Sequence, residues 1–361
     1  MPWMPLVLVS SDAFERHLTP PGHPERPERA HVFDAVATAW RAGGGEVRAP
    51  RPATIAELAA VHDRDHLERI AGTSGRAAML DPDTFTSPES YELARLAAGA
   101  TLVGVDHAMA GGGPALVLVR PPGHHAERDK AMGFCLFNNA AVAAAYGRAK
   151  GASRVAVVDI DVHHGNGTQQ IFEDDPAVLY VSTHQYPCYP GTGAVTEVGL
   201  GEGRGRTVNV PIEPGAGDDD YTQVLAEVVV PVLTAFAADL VILSVGYDAH
   251  VQDPLAQMQV TTAGYRAMLA TLRATAEAVS GGRLVVVTEG GYDLPALGAC
   301  LEATVEVLSA PAGAAPAGSA PATPAETAAS AAAPRASGPG IRGREAVAAA
   351  LAVQRPFWPL V

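Results

Sequence analysis

Residues Arg154-Val-Ala-Val-Val-Asp-Ile-Asp161 run directly into Val162-His163-His164-Gly165-Asn166-Gly167. The near-continuous apolar run suits a strand buried on both faces, as in a parallel sheet covered by helices. It ends in acids and histidines where the strand would leave the sheet. Similar Val-rich runs occupy 6–10, 115–120, 178–182, 207–211, 240–245 and 284–288. Helical stretches fall between them: Thr54-Ile-Ala-Glu57 is a capping-box start, and Ser87-Pro88 opens a helix expected to reach the glycines at 111–113. Further helices are expected over 138–148, 219–237, 262–279 and 295–308.

This alternation predicts a single three-layer α/β domain, with a central, mostly parallel sheet and helices on both faces, over residues 1–308. Residues 309–340 are almost wholly Ala, Pro, Ser, Gly and Thr, too poor in large side chains to offset the entropy of ordering; they read as a flexible linker. Residues 341–361 read as a C-terminal helix and an apolar tail that docks back on the domain.

The 361 residues carry a formal charge of −14, with no long Lys/Arg block, which argues against a nucleic-acid groove and favours cationic substrates. Three cysteines, Cys135, Cys188 and Cys300, cannot form a disulfide framework, and no apolar segment is long enough to span a bilayer. The expectation is a cytoplasmic protein that engages neither membrane nor nucleic acid. Assembly into a homo-oligomer would depend on surface loops, above all 62–86.

In such sheets ligands bind beyond the carboxyl ends of the strands, and four predicted strands end in reactive clusters. They are Pro121-Pro-Gly-His124-His125, Asp159-Ile-Asp161-Val-His163, Gly246-Tyr247-Asp248 and Glu289-Gly-Gly291-Tyr292. The spacing by two would turn Asp159, Asp161 and His163 to one face of an extended chain. Adjacent carboxylates in an apolar sheet repel unless protonated or neutralised by a cation. A metal held by Asp161, His163 and Asp248, with Asp159 orienting a histidine, accounts for them; an Asp–His network without metal is the alternative. His124 and His125 can supply a general base and acid and an electrostatic partner, or be structural. Tyr292 can donate to an oxyanion, or simply pack. Together these groups describe metal-assisted hydrolysis of an amide. Zn²⁺ suits the ligands, and Fe²⁺ or Co²⁺ would also be accepted.

The motifs Arg120-Pro-Pro-Gly-His-His125, Gly133-Phe-Cys-Leu-Phe-Asn-Asn139, Asp159-Ile-Asp-Val-His-His-Gly-Asn-Gly167, Tyr189-Pro-Gly-Thr-Gly193 and Glu289-Gly-Gly-Tyr292 resemble the histone deacetylase superfamily. That family includes acetylpolyamine amidohydrolases and shares its fold with arginases. The resemblance runs from His23-Pro-Glu-Arg-Pro-Glu-Arg29 to about residue 308. It implies zinc on Asp161, His163 and Asp248, His125 as general base and acid, His124 paired with Asp159, and Tyr292 as donor in the transition state. It also implies a narrow channel lined by Gly133, Phe134 and Tyr189, with Asp83 at its rim and Gly291 among the substrate-binding residues. A structural K⁺ would be held by Asp159, Asp161, His163 and Ser182. Asn166 stands where class I members carry an aspartate, which is a class II feature and would leave His125 without a charged partner. Leu255 replaces the glutamate gatekeeper of the polyamine-specific animal branch.

The function expected from the resemblance is removal of acetyl or other acyl groups from Nε-acyl-lysine in proteins or peptides. Deacetylation of polyamines or other small acylated amines is the alternative. An arginase-like reaction would need more carboxylates, and nothing in the sequence disables catalysis as a non-enzymatic reader would require.

Overall fold

The computed structural model describes residues 5–311 and 340–360. Positions 312–339, most of the expected linker, lie outside the described residues. Eight strands form one sheet in the order β2-β1-β5-β10-β9-β6-β7-β8. They are β1 (Val7–Val9), β2 (Glu46–Arg48), β5 (Ala115–Val117), β6 (Val155–Asp159), β7 (Val178–Gln185), β8 (Thr207–Ile212), β9 (Leu240–Val245) and β10 (Leu284–Thr288). Every pairing in this sheet is parallel. A separate antiparallel hairpin joins β3 (Ala78–Asp81) to β4 (Thr84–Thr86).

Alternate strand residues go to opposite cores, as a period of two requires. Val117, Val155, Val157, Ile242 and Val287 pack with α4 (Ser90–Met109) and α5 (Asn139–Ala149). Leu116, Ala156, Val158, Leu243 and Val286 face the other way. There they meet α1 (Glu28–Ala42), α9 (Thr262–Ser280) and α10 (Leu294–Ser309), with α7 (Asp218–Val224) and α8 (Val230–Phe236) beside them. The expected helix–sheet–helix layering is what the chain adopts.

From β6 the chain moves outward through β7 to β8, then returns to lay β9 and β10 on the other side of β6. Such a reversal of strand order leaves a crevice at the carboxyl ends. The four reactive clusters follow β5, β6, β9 and β10, which are neighbours there.

Several boundaries differ from expectation. The helix after Ser87-Pro88 starts at Ser90, because the Ser90 hydroxyl turns back to accept from the Ser87 N–H at 2.7 Å. Strand β6 ends at Asp159, so Asp161 and His163 lie in the following loop and the spacing by two does not act through extended backbone. Each side chain instead accepts from the amide two residues on: Asp159 Oδ1 from Asp161 N (3.1 Å) and Asp161 Oδ1 from His163 N (2.8 Å). These local bonds curl the chain and gather the groups over one spot. Also unforeseen were β2, β3, β4, α1, α3 (Arg64–Ala71) and α6 (Asn166–Phe172).

Helix α11 (Ile341–Gln354) packs on α7 and on the edge strand β8. Gly343 N donates to Asp220 Oδ1 (2.7 Å), Gln354 Nε2 to Thr207 O (3.1 Å), and the buried Trp358 Nε1 to Gly205 O (2.9 Å). Among the described residues no helix is long and apolar enough to cross a membrane.

Candidate active site

Asp161, His163 and Asp248 come together, each buried, with one ligand atom apiece inside 4.8 Å of the others. His163 Nδ1 lies 3.2 Å from Asp161 Oδ1 and 3.2 Å from Asp248 Oδ2. Ligand atoms about 2.0 Å from a tetrahedral zinc are about 3.3 Å apart, so these spacings fit one cation. The Asp248 Oδ2 atom is buried and, among the described residues, not aligned for a hydrogen bond with any group. Such an oxygen is costly unless something positive faces it. Burial and the Asp161 charge push Asp248 up. His163 is driven well above an ordinary imidazole: burial opposes its charge, but Asp161 and Asp248 override it. A proton on His163 Nδ1 stands where a metal would sit.

Two glycines make this crowding feasible. A Cβ on Gly246 would fall 1.9 Å from Asp161 Oδ2, and one on Gly290 2.0 Å from Asp248 Oδ2. Gly290 N instead donates to Asp161 Oδ2 at 2.9 Å.

The Pro-Gly-His-His turn after β5 brings the His124 and His125 rings to 4.0 Å between centroids. Glu289, a residue given no role from sequence, anchors this turn. Its Oε2 accepts from Gly123 N (2.6 Å) and His124 N (3.2 Å), and its Oε1 from Ser244 Oγ (2.8 Å). His124 Nδ1 lies 3.1 Å from Asp159 Oδ2, and Nε2 lies 3.8 Å from Asp161 Oδ1. Burial alone would lower His124, but the Asp161 and Asp159 charges raise it to about 10. His125 goes the other way: burial, then the charges of His124 and His163, hold it well below 6.5. Two adjacent histidines are thus pushed in opposite directions, His124 toward its charged form and His125 toward its neutral one. His125 Nδ1 contacts Asn166 Oδ1 at 2.8 Å, at the first turn of α6.

The proposed wall residues surround this floor. A Cβ on Gly133, whose φ is +56°, would meet the His125 ring at 2.4 Å, so the backbone there lies flat against the imidazole. Phe134 stands edge-on to Tyr292 at 5.9 Å, and Tyr189 edge-on to His125 at 5.1 Å. The Tyr292 ring is buried, and its hydroxyl has no hydrogen-bond partner among the described residues. Asp83 sits on the β3–β4 turn, its carboxylate accepting from Thr84 Oγ1 (3.0 Å), while Thr84 Oγ1 also receives Phe134 N (3.0 Å). Ser182 faces Asp159 across the β6–β7 register, with its hydroxyl on His184 Nδ1 at 2.9 Å. Leu255 is half-buried next to Asp253, whose Oδ1 accepts from its amide at 3.0 Å.

The loop bearing Tyr292 is held from two sides by residues not singled out from sequence. Buried Arg29 donates through Nε to Gly291 O (2.8 Å) and through its terminal nitrogen to Glu289 O, and its guanidinium lies 5.1 Å from the Tyr292 ring centre. Arg29 is itself paired with Glu25, which Arg120 also binds. Asp253 Oδ2 accepts from Tyr292 N at 2.7 Å. The signal for Arg29 lay in the His23–Arg29 motif; Asp253 is adjacent to Pro254-Leu255.

A model of the histone deacetylase domain matches residues 23–308. The chain belongs to the histone deacetylase family. A histone deacetylase-like amidohydrolase of Pseudomonas aeruginosa is 42% identical over 298 residues, 81% of this chain and 78% of that protein. Histone deacetylase 15 of Arabidopsis thaliana is 41% identical over 93% of this chain, which spans 59% of that protein's length. A probable deacetylase of Archaeoglobus fulgidus is 36% identical over 85% of this chain and 86% of its own. The crystal structure of the HDA15 HD domain superposes with a TM-score of 0.87 at 38% identity, covering 99% of this chain and 96% of that one. The fold is therefore the α/β fold of deacetylases, and this family member is a hydrolase acting on amide bonds.

Proposed function

We propose that the protein is a zinc-dependent deacylase that removes acetyl or related acyl groups from Nε-acyl-lysine side chains. The observation that carries this is the clustering of Asp161, His163 and Asp248 beside the His124–His125 pair, walled by Phe134, Tyr189 and Tyr292. When bound by the three ligands, zinc supplies Lewis acidity toward the acyl carbonyl and lowers the pKa of water; Fe²⁺ or Co²⁺ fits the same donors.

His125 enters the reaction neutral and takes a proton from the attacking water at Nε2, its Nδ1–H being tied to Asn166 Oδ1. His124 stays protonated through its Asp159 partner and holds a fixed positive charge beside the reacting atoms. The Tyr292 hydroxyl donates to the oxyanion as the tetrahedral carbon forms. The proton on His125 Nε2 then passes to the amine nitrogen as the C–N bond breaks, releasing a free amine and a carboxylate. Gly133, Phe134 and Tyr189 guide the methylene chain, and Asp83 holds the substrate backbone at the rim. A structural K⁺ on Asp159, Asp161, His163 and Ser182 belongs to the same proposal, as does a cytoplasmic location, in keeping with three free cysteines.

A second reading is deacetylation of polyamines or other small cationic amines. It is supported by the acidic mouth, where the carboxylates of Asp83, Asp81 and Glu127 add to burial in pushing the Tyr189 hydroxyl up. Side-by-side turnover of an acetyl-lysine peptide and N-acetylputrescine by the zinc-loaded protein separates the two. Peptide turnover abolished by Asp248→Ala supports the first reading, polyamine preference the second. Inactivity on every acyl amide would overturn both.

A further inference from the structure

An asparagine amide is nearly symmetric in shape, so its contact with His125 Nδ1 does not by itself fix where the imidazole proton sits. If Asn166 presented its NH₂ group, Nδ1 would accept and the proton would move to Nε2, the nitrogen that must be free to act as a base. The far side of the amide decides the matter. Glu127 Oε1 lies 2.7 Å from Asn166 Nδ2, and an ionised carboxylate can only accept. The other neighbours of that nitrogen, His125 O at 3.5 Å and Met132 Sδ at 3.4 Å, are acceptors too. The amide NH₂ must therefore face Glu127, its oxygen must face His125, and His125 must carry its proton on Nδ1.

Glu127 is held in place to do this. Its backbone N–H donates to Lys130 O (2.9 Å), and its carbonyl lies 2.9 Å from His62 Nδ1. His62 Nε2 accepts from Asn138 N at 2.9 Å, so its Nδ1 is the donor. Burial pushes His62 down to about 3, which keeps that ring neutral and its tautomer fixed.

We propose that Glu127 is a positioning residue that locks the Asn166 amide and, through it, the His125 tautomer with a free Nε2. The inference rests on the reading of His125 as the base. The carboxylate that the sequence withholds from His125 is thus present one hydrogen bond further out.

Two measurements on the zinc-loaded full chain test it. In the first, acetyl-lysine peptide kinetics, Glu127→Leu is expected to lower kcat about 10-fold with KM within about 2-fold, the scale of losing an orienting partner. Glu127→Gln, whose carbonyl still accepts, should stay within about 3-fold. Asn166→Asp sets two carboxylates against each other, and the reversed pair Glu127→Gln/Asn166→Asp should recover at least about 10-fold over that single variant. The second is long-range ¹H–¹⁵N NMR of the histidine rings, with His125 assigned by His125→Gln. It should report Nδ1–H in the unaltered chain and a tautomer mixture in Glu127→Leu. An unchanged tautomer and kcat in Glu127→Leu, or no recovery in the reversed pair, would overturn the proposal. The NMR arm needs no turnover: an intact Nδ1–H tautomer in a chain that hydrolyses no acyl amide would refute the function and leave the tautomer lock standing.

Discussion

Replacing Gly290 with alanine should disable the proposed metal site while leaving the fold intact. The new Cβ would lie 2.0 Å from Asp248 Oδ2 and 2.7 Å from Asp161 Oδ2. Normal contact requires a retreat of about 1 Å or more, several times the roughly 0.2 Å tolerance of a metal–ligand bond. The backbone cannot yield instead, because Arg29 grips the carbonyls on either side, at Glu289 and Gly291. The carboxylates must move, and two of the three ligands with them. Disturbing one orienting partner of a metal ligand costs about 10–100-fold in affinity, so displacing two ligands should cost more than about 100-fold. Competition of the apo-protein against a chromophoric chelator measures zinc affinity directly, and far-UV circular dichroism checks the fold. Zinc affinity within about 3-fold of the unaltered chain, in a folded variant, would refute the placement of the site.

Tyr292→Phe removes the donor without disturbing packing, so kcat should fall about 10²–10³-fold with little change in hydroxamate binding; equal losses in both would mean the ring, not the hydroxyl, matters. Asp253→Asn trades the acceptor of the Tyr292 amide for a neutral one and should lower kcat more than KM, as steady-state kinetics can separate. The metal-free protein should lose stability as pH rises above 6.5, read as melting temperature against pH. His124 has a folded value of about 10, above its unfolded 6.5, so its contribution is complete below pH 6.5 and is lost as pH rises toward 10. Burial depresses His17 and His164 to about 4, so their contribution falls as pH drops from 6.5 toward 4. Burial also raises Asp253 and Glu289 to about 7, and their contribution grows over the same window, flattening the acid side. A melting temperature flat from pH 6.5 to 9 would contradict the His124 assignment.

The central strands were legible because Val-rich runs such as 240–245 and 284–288 are buried on both faces and need no tertiary context to be recognised. Strand β2 was not, since Glu46-Val-Arg48 is a short edge strand with polar side chains in solvent. Helix α6 was hidden because it begins at Asn166 inside a glycine-bearing motif that reads as loop. The members of the proposed metal cluster stand out by composition and order, yet their convergence comes from Asx-type bonds that a two-residue spacing does not disclose. The Glu25–Arg29–Arg120 cluster lies furthest from sequence reasoning. Arg120 meets Glu25 from 95 residues away, and a buried arginine looks the same in sequence as an exposed one.

The contacts of the C-terminal helix bear on solubility. Strand β8 is the last of its sheet, and a bare margin of that kind can recruit a strand from another molecule. Gly205 and Thr207 carbonyls, on the side away from β7, are already taken by Trp358 and Gln354. The returning segment is therefore a guard against chain-to-chain pairing, so cutting the protein before residue 340 should yield a species that still folds around its catalytic crevice but self-associates through that uncovered border.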